Sequence, residues 1–369
     1  MPGLDGLRAL AITLVLAAHL PFLPGLGERA MRWKVNLGLL GVELFFALSG
    51  FLIGGILLRT GERLRSPRVM GGFWLNRWLR TLPNFYLIFA VNLVLGLWVF
   101  TRRHEPWQTF GLTAIFSQNL TRPPGWFFTE AWSLSVEEWF YLLLPAGLWI
   151  GLKLRRGFGE TYVAMGSLMI VGTVVRRVLF PGDPSWPYGE NLVVLNRFDA
   201  LGCGVMAAWL AWTQAEAWRR YAVPAAVGGL LLIGGALGLR DTVDATAGGW
   251  RAVWPLLQPL GGALLLPALS GWAGWHAPKL GVATATLARW SYSLYLVNSL
   301  IAFTVTRMMS SAAAASGAVA WLGNAVFFLA SLGFACALHH AWEAPILRLR
   351  ERIPWCREAN AARLERPVG

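Results

Sequence analysis

Apolar runs of about twenty residues recur from one end of this 369-residue chain to the other, and each is long enough to cross a bilayer as a helix. The runs are continuous rather than alternating at period two, which argues against a β-barrel. No polar segment remains that is long enough to build a soluble domain. Hydrophobic residues make up 56% of the chain and charged residues 14%, whereas soluble domains run near a quarter charged. The chain is therefore expected to be an all-α polytopic membrane protein, with about ten transmembrane helices around a polar internal cavity. The segments fall near 7–23, 38–58, 82–101, 131–152, 161–180, 197–213, 222–239, 252–270, 290–309 and 318–340.

Lys and Arg number 32 against 19 Asp and Glu, an excess of +13. In a soluble chain that excess would point to nucleic acid. In a membrane chain it reflects topology, anionic lipid or a polyanionic substrate, and no nucleic-acid partner is expected. With the N-terminus in the cytoplasm, the cytoplasmic ends and loops hold 20 of the 32 basic residues. A multi-pass protein of the inner (plasma) membrane with both termini cytoplasmic is expected. The stretch 7–23 carries Arg8 and His19 and reads as a retained span rather than a cleaved leader. Cys203, Cys336 and Cys356 lie far apart and indicate neither a disulfide framework nor a metal site. The spans group into one membrane domain, 1–345, followed by a short basic tail, 346–369.

Ionisable residues inside apolar segments are costly and face a cavity or a partner. Arg8 and His19 lie eleven residues apart, about three turns plus 20°, so they share one face of the first span roughly 16 Å apart. Glu43 and Ser49 sit among aromatics in the second span, where Ser49 and Gly50 also suit close helix packing. Arg77 and Arg80, at i, i+3 among Trp74 and Trp78, read either as topogenic charge or as a phosphate clamp, because arginine binds phosphate bidentately. Glu137 and Glu138 cannot share a helix face, and Glu138 is expected to be the more exposed. Glu137 and Tyr141, at i, i+4, lie on one side. Arg197 and Asp199 do not face each other at i, i+2, so each is expected to pair with another helix. His339 and Glu343 form an i, i+4 pair without a third ligand, and no metal is expected. Nucleotide-loop, zinc-protease and nucleophile-elbow motifs are absent.

These elements together resemble the acyltransferase-3 family of integral membrane O-acyltransferases. Leu4-Asp5-Gly6-Leu7-Arg8-Ala9 with His19 is similar to its first-span signature, and Gly41-Val42-Glu43 through Ser49-Gly50-Phe51 to its second. Arg77-x-x-Arg80-x-x-Pro83 is similar to its cytoplasmic R-x-x-R element, and Trp132-Ser-Leu-Ser-Val-Glu137-Glu138 to its W-S-L-S-x-E block. Arg197-x-Asp199 and Ser291-Tyr-Ser-Leu-Tyr295-Leu296 are similar to weaker later motifs. The resemblance runs from Leu4 to about Pro345. One departure is Asn298, where the family commonly has a histidine, so no acid or base role transfers to that position. The soluble esterase-like domain that some relatives carry is not expected.

The resemblance implies transfer of an acyl group, expected to be acetyl, from acyl-CoA to a hydroxyl of a cell-envelope glycan or lipid-linked sugar. Its implied catalytic residues are His19 as general base, with Glu43 and Glu137 orienting His19 or the acceptor. Arg77 and Arg80 would hold the CoA phosphates, and Arg8 would bind CoA or brace Glu43. The expected partners are acyl-CoA, the glycan acceptor and membrane lipids. Two alternatives stay open: acylation of a small natural-product sugar such as a macrolide, and a secondary transporter using the intramembrane charges as ion sites.

Overall fold

The computed structural model describes residues 1–23, 27–99, 107–125, 127–181, 189–240, 250–274 and 277–364. Among the described residues every regular element is helical. A chain solvated by lipid must close its backbone hydrogen bonds within each segment, and the helix does so. The α-helices in chain order are α1 Pro2–Ala18, α2 Glu28–Thr60, α3 Pro67–Val99, α4 Trp107–Ala114, α5 Ala131–Lys153, α6 Phe158–Leu179, α7 Phe198–Thr213, α8 Ala215–Arg220, α9 Ala222–Gly238, α10 Trp250–Val253, α11 Leu257–Gly271, α12 Pro278–Ala315, α13 Gly317–Leu338, α14 Ala344–Arg350 and α15 Pro354–Leu364. Pro2 opens α1 at its first turn, where its missing N–H costs nothing. Pro21 lies just beyond its end, since the residue before a proline is pushed out of helical geometry.

Among the described residues five stretches are long and apolar enough to cross a membrane: Ala30–Arg65, Pro67–Leu95, Phe158–Leu179, Trp250–Gly271 and Gly317–Arg350. The other expected segments also lie on helices, but α1, α7 and α9 have only 17, 16 and 17 residues, short of the roughly twenty that a bilayer asks for. Glu137 and Glu138 dilute α5, and Arg289, Ser291, Ser293 and Asn298 dilute α12. Residues 100 and 101, the expected end of the third segment, lie outside the described residues.

The helices meet through small residues and buried ion pairs. A Cβ at Gly50 of α2 would collide with the Leu201 carbonyl oxygen, and one at Gly204 of α7 with that of Ala47. The two glycines therefore let the α2 and α7 backbones touch, the packing mode available where lipid removes the hydrophobic drive between helices. Around this contact Phe46, Phe85, Phe140, Ile12 and Leu144 fill the core. Among the described residues past Pro345, α15 packs on α3.

Candidate active site

His19 caps the C-terminal end of α1, and its ring folds back on the helix. Nδ1 stands 2.8 Å from the Val15 carbonyl oxygen. A carbonyl only accepts, so Nδ1 carries the hydrogen of the neutral ring and Nε2 presents its lone pair. Nε2 points towards Glu130 Oε1 at 4.0 Å. This is too long for a direct hydrogen bond and leaves room for a bridging hydroxyl. The histidine is 35% exposed and the glutamate 6%, so the imidazole meets open space while the carboxylate stays within protein. That space is a cavity of about 510 Å³ lined by His19, Glu130, Thr129, Pro124, Trp132 and Tyr295 among others.

Glu130 is anchored from several sides. Thr129 Oγ1 donates to Oε1 at 3.1 Å. The Glu130 carbonyl accepts from the Ser133 hydroxyl and the Tyr295 hydroxyl, each at 3.3 Å. Those two hydroxyls lie 2.5 Å apart. Glu130, Ser133, Glu137 and Tyr141 follow one another at helical spacings of three, four and four, and so form a polar stripe along α5.

Further along that stripe, Glu137 accepts from Ser49 Oγ at 2.9 Å and from the Tyr141 hydroxyl at 2.8 Å. Arg77 lies 5.4 Å over the Tyr141 ring, in cation–π range. Arg8 forms a 3.5 Å ion pair with Asp5 and stands within electrostatic reach of Arg80, Tyr141 and Glu137. Arg8 thus sits at the Tyr141 end of the α5 stripe and His19 at its Glu130 end. The polar residues of α1 and α5 thus run antiparallel along one seam, its ends eleven positions apart on each helix. At the arginine end lies a second pocket, of about 150 Å³, with Asn76, Arg77, Arg80 and Arg350 in its wall.

The structure brings His19, Arg8, Arg77, Arg80 and Glu137 onto this seam but does not bring Glu43 or Glu137 to His19. Both Glu137 oxygens are taken by Ser49 and Tyr141. Glu43 pairs with Arg197, not with Arg8, and neither side chain of that pair is more than 5% exposed. Arg177 pairs with Asp199 at 2.8 Å. These two buried pairs tie α2, α6 and α7 together and answer the expectation that Arg197 and Asp199 find partners on other helices. Glu138 is not left at the surface: it is half-buried, as Glu137 is, and accepts from Thr81 Oγ1 at 2.7 Å. Asn298 is fully buried and donates to the Leu294 and Tyr295 carbonyls of its own helix. Glu343 accepts from His339 at 3.1 Å, Asn84 at 3.3 Å and Ser293 at 3.0 Å. Among the described residues no group of three or more His, Cys, Asp or Glu is placed to hold a metal.

Two residues of the site were not legible beforehand. Glu130 lies just before its span, in a loop otherwise without regular pattern, and only its helical spacing to Ser133 and Glu137 signals it. Arg350 sits in what reads as tail.

The motif order agrees with comparison to known proteins. A model of the acyltransferase domain matches residues 1–340. The chain belongs to the acyltransferase-3 family. Relatives include a putative peptidoglycan O-acetyltransferase, YrhL, of Bacillus subtilis, 32% identical over 231 residues, which are 57% of this chain and 33% of that protein. The peptidoglycan O-acetyltransferase OatA of Listeria monocytogenes is 31% identical over 229 residues, 57% of this chain and 34% of that one. O-acetyltransferase OatA of Staphylococcus aureus is 31% identical over 228 residues, 57% and 35% respectively. The chain thus matches about a third of the length of these relatives. No solved structure matches. A family acyltransferase with several membrane-length helices is a multi-pass membrane enzyme.

Proposed function

We propose that the protein transfers an acetyl group from acetyl-CoA to a hydroxyl of a cell-envelope glycan, with His19 as general base. The observation that carries this is the His19 geometry: Nδ1 stands against the Val15 carbonyl, which leaves Nε2 to take a proton inside the cavity. The acceptor hydroxyl would donate to Nε2 from the cavity, with Glu130 beside the ring. Its proton passes to Nε2 as its oxygen attacks the thioester carbonyl carbon. The tetrahedral intermediate collapses with cleavage of the C–S bond, and the CoA sulfur takes the proton back from the imidazolium. Glu130, 4.0 Å away, stabilises the positive ring between the two steps.

The donor phosphates belong at the other end of the seam, in the pocket of Arg77 and Arg80. The pantetheine arm would then run along the face of Ser49, Glu137 and Tyr141 towards His19. CoA would then bind at the cytoplasmic end of an inner-membrane protein with both termini inside. The curated relatives named for peptidoglycan support a glycan acceptor.

The deciding experiment is mass spectrometry of envelope glycans and small metabolites from a deletion strain. Loss of acetyl from a glycan, restored by the wild-type chain and not by His19→Ala, is the expected result. Unchanged glycans with loss of acetyl from a small metabolite would overturn the acceptor class.

A further inference from the structure

The family match ends at residue 340, yet the chain continues as a structured segment that returns to the arginine pocket. A π-helical turn, His339–Glu343, leads into α14, and α15 follows. The Trp355 ring lies beside Gly71, and a Cβ at Gly72 would collide with the Trp355 carbonyl oxygen, so α15 sits directly on the α3 backbone. Asn76, itself buried, ties both ends of the segment: its Nδ2 donates to the Cys356 carbonyl at 3.2 Å, and its carbonyl accepts from Arg350 Nη1 at 3.3 Å. These contacts hold Arg350 in the wall of the pocket that contains Arg77 and Arg80.

That pocket has three arginines and no carboxylate among its described lining residues. Arg350 is within electrostatic reach of Arg80, and Arg80 of Arg8. Glu137 reaches Arg77 and Arg80, and Glu351 reaches Arg350, from outside the pocket wall, so the wall itself offers an anion guanidinium donors without a competing carboxylate. The Nε of Arg350 is buried without a partner among the described residues, and beyond the Nη1 bond to Asn76 the guanidinium has further N–H donors for a ligand. We propose that Arg350 is a third phosphate ligand of the donor site, so that the segment beyond the family match completes acyl-CoA binding. This rests on the donor reading given above.

The test titrates CoA into the full chain in phosphatidylcholine nanodiscs, a zwitterionic setting in which no anionic headgroup competes. Arg350→Gln should weaken CoA binding about tenfold or more, the scale of one charge-assisted contact. Arg350→Lys should fall between, because an ammonium keeps the charge but loses the fork. Arg348→Gln, on the exposed side of α14, should bind as wild type. Turnover with acetyl-pantetheine, a donor without phosphates, should be unchanged in Arg350→Gln. If Arg350→Gln binds CoA as wild type does, or slows acetyl-pantetheine turnover equally, the proposal is overturned while the donor reading stands. If the wild-type chain binds no CoA at all, the donor reading itself falls. Should Arg350→Gln fail to fold, the same comparison is made with Arg350→Lys. Weakening that appears only in phosphatidylglycerol discs would assign the pocket to a lipid headgroup and overturn the proposal.

Discussion

His19 and Glu130 face each other at one end of the α1–α5 seam, Nε2 to Oε1 at 4.0 Å, with the other ring nitrogen held by the Val15 carbonyl. At 4.0 Å the two atoms share no direct hydrogen bond, and a hydroxyl reaches them only from beside the line that joins them. A carboxylate so placed can favour the imidazolium without taking the acceptor's position. Replacing Glu130 by Gln keeps shape and Thr129 contact while removing the charge. Loss of a preorganised electrostatic partner costs about 10²-fold in kcat. The KM for both substrates should change little, and assays on purified Glu130→Gln with acetyl-CoA and a glycan acceptor would reveal a wild-type kcat if the assignment is mistaken.

His19→Ala removes the base itself. Transfer should fall by about 10²–10⁴, while CoA affinity is retained, because the proposed donor pocket lies at the other end of the seam. Titration with CoA and a separate turnover assay distinguish the two effects. Parallel loss of CoA binding would place His19 at the donor instead.

Much of the architecture was legible because the bilayer leaves the chain few options. Long apolar runs must be helices, and ionisable residues within them must find partners. The pattern could not say which partners. Arg197 and Asp199 at i, i+2 imply two contacts on other helices, but that Glu43 answers Arg197 across 154 positions is a fact of packing. Glu130 was hidden for a different reason. It belongs to a helical stripe whose first member lies outside the apolar run, so a search for charges inside spans passes over it. The number of crossing helices does not follow from apolar runs alone where helices are short, as in α1, α7 and α9.

Glu43 is expected to act through folding rather than through chemistry. Breaking a buried ion pair by removing one partner costs about 3–5 kcal/mol, and replacing both partners with apolar groups of similar volume restores much of it. Glu43→Ala should therefore lower the melting temperature of the detergent-solubilised protein. Glu43→Leu combined with Arg197→Met should recover most of the loss and retain transfer. A double variant that melts normally but is inactive would return Glu43 to the catalytic group.

The orientation proposed here joins the charge bias to the arginine pocket. Arg77, Arg80 and Arg350 share one pocket, so the turn between α2 and α3 and the segment carrying α15 lie at the same end of the molecule. If CoA is the donor, that end must face the cytoplasm, where CoA is found. Reporter fusions placed between Thr60 and Pro67 and after residue 369 should both report cytoplasm, and a cysteine introduced at exposed Gly111 of α4 should label from outside. The arginines supply an independent measurement. Arg77→Ala with Arg80→Ala should weaken CoA binding. Wild-type affinity should fall as ionic strength rises from 0.01 to 0.15 M, where the screening length shortens from about 30 to about 8 Å. The double variant should show a flatter salt dependence, since fewer charges remain to be screened. An outside signal at either fusion, or a salt slope unaltered by the double substitution, would detach CoA from this pocket even with the family assignment intact.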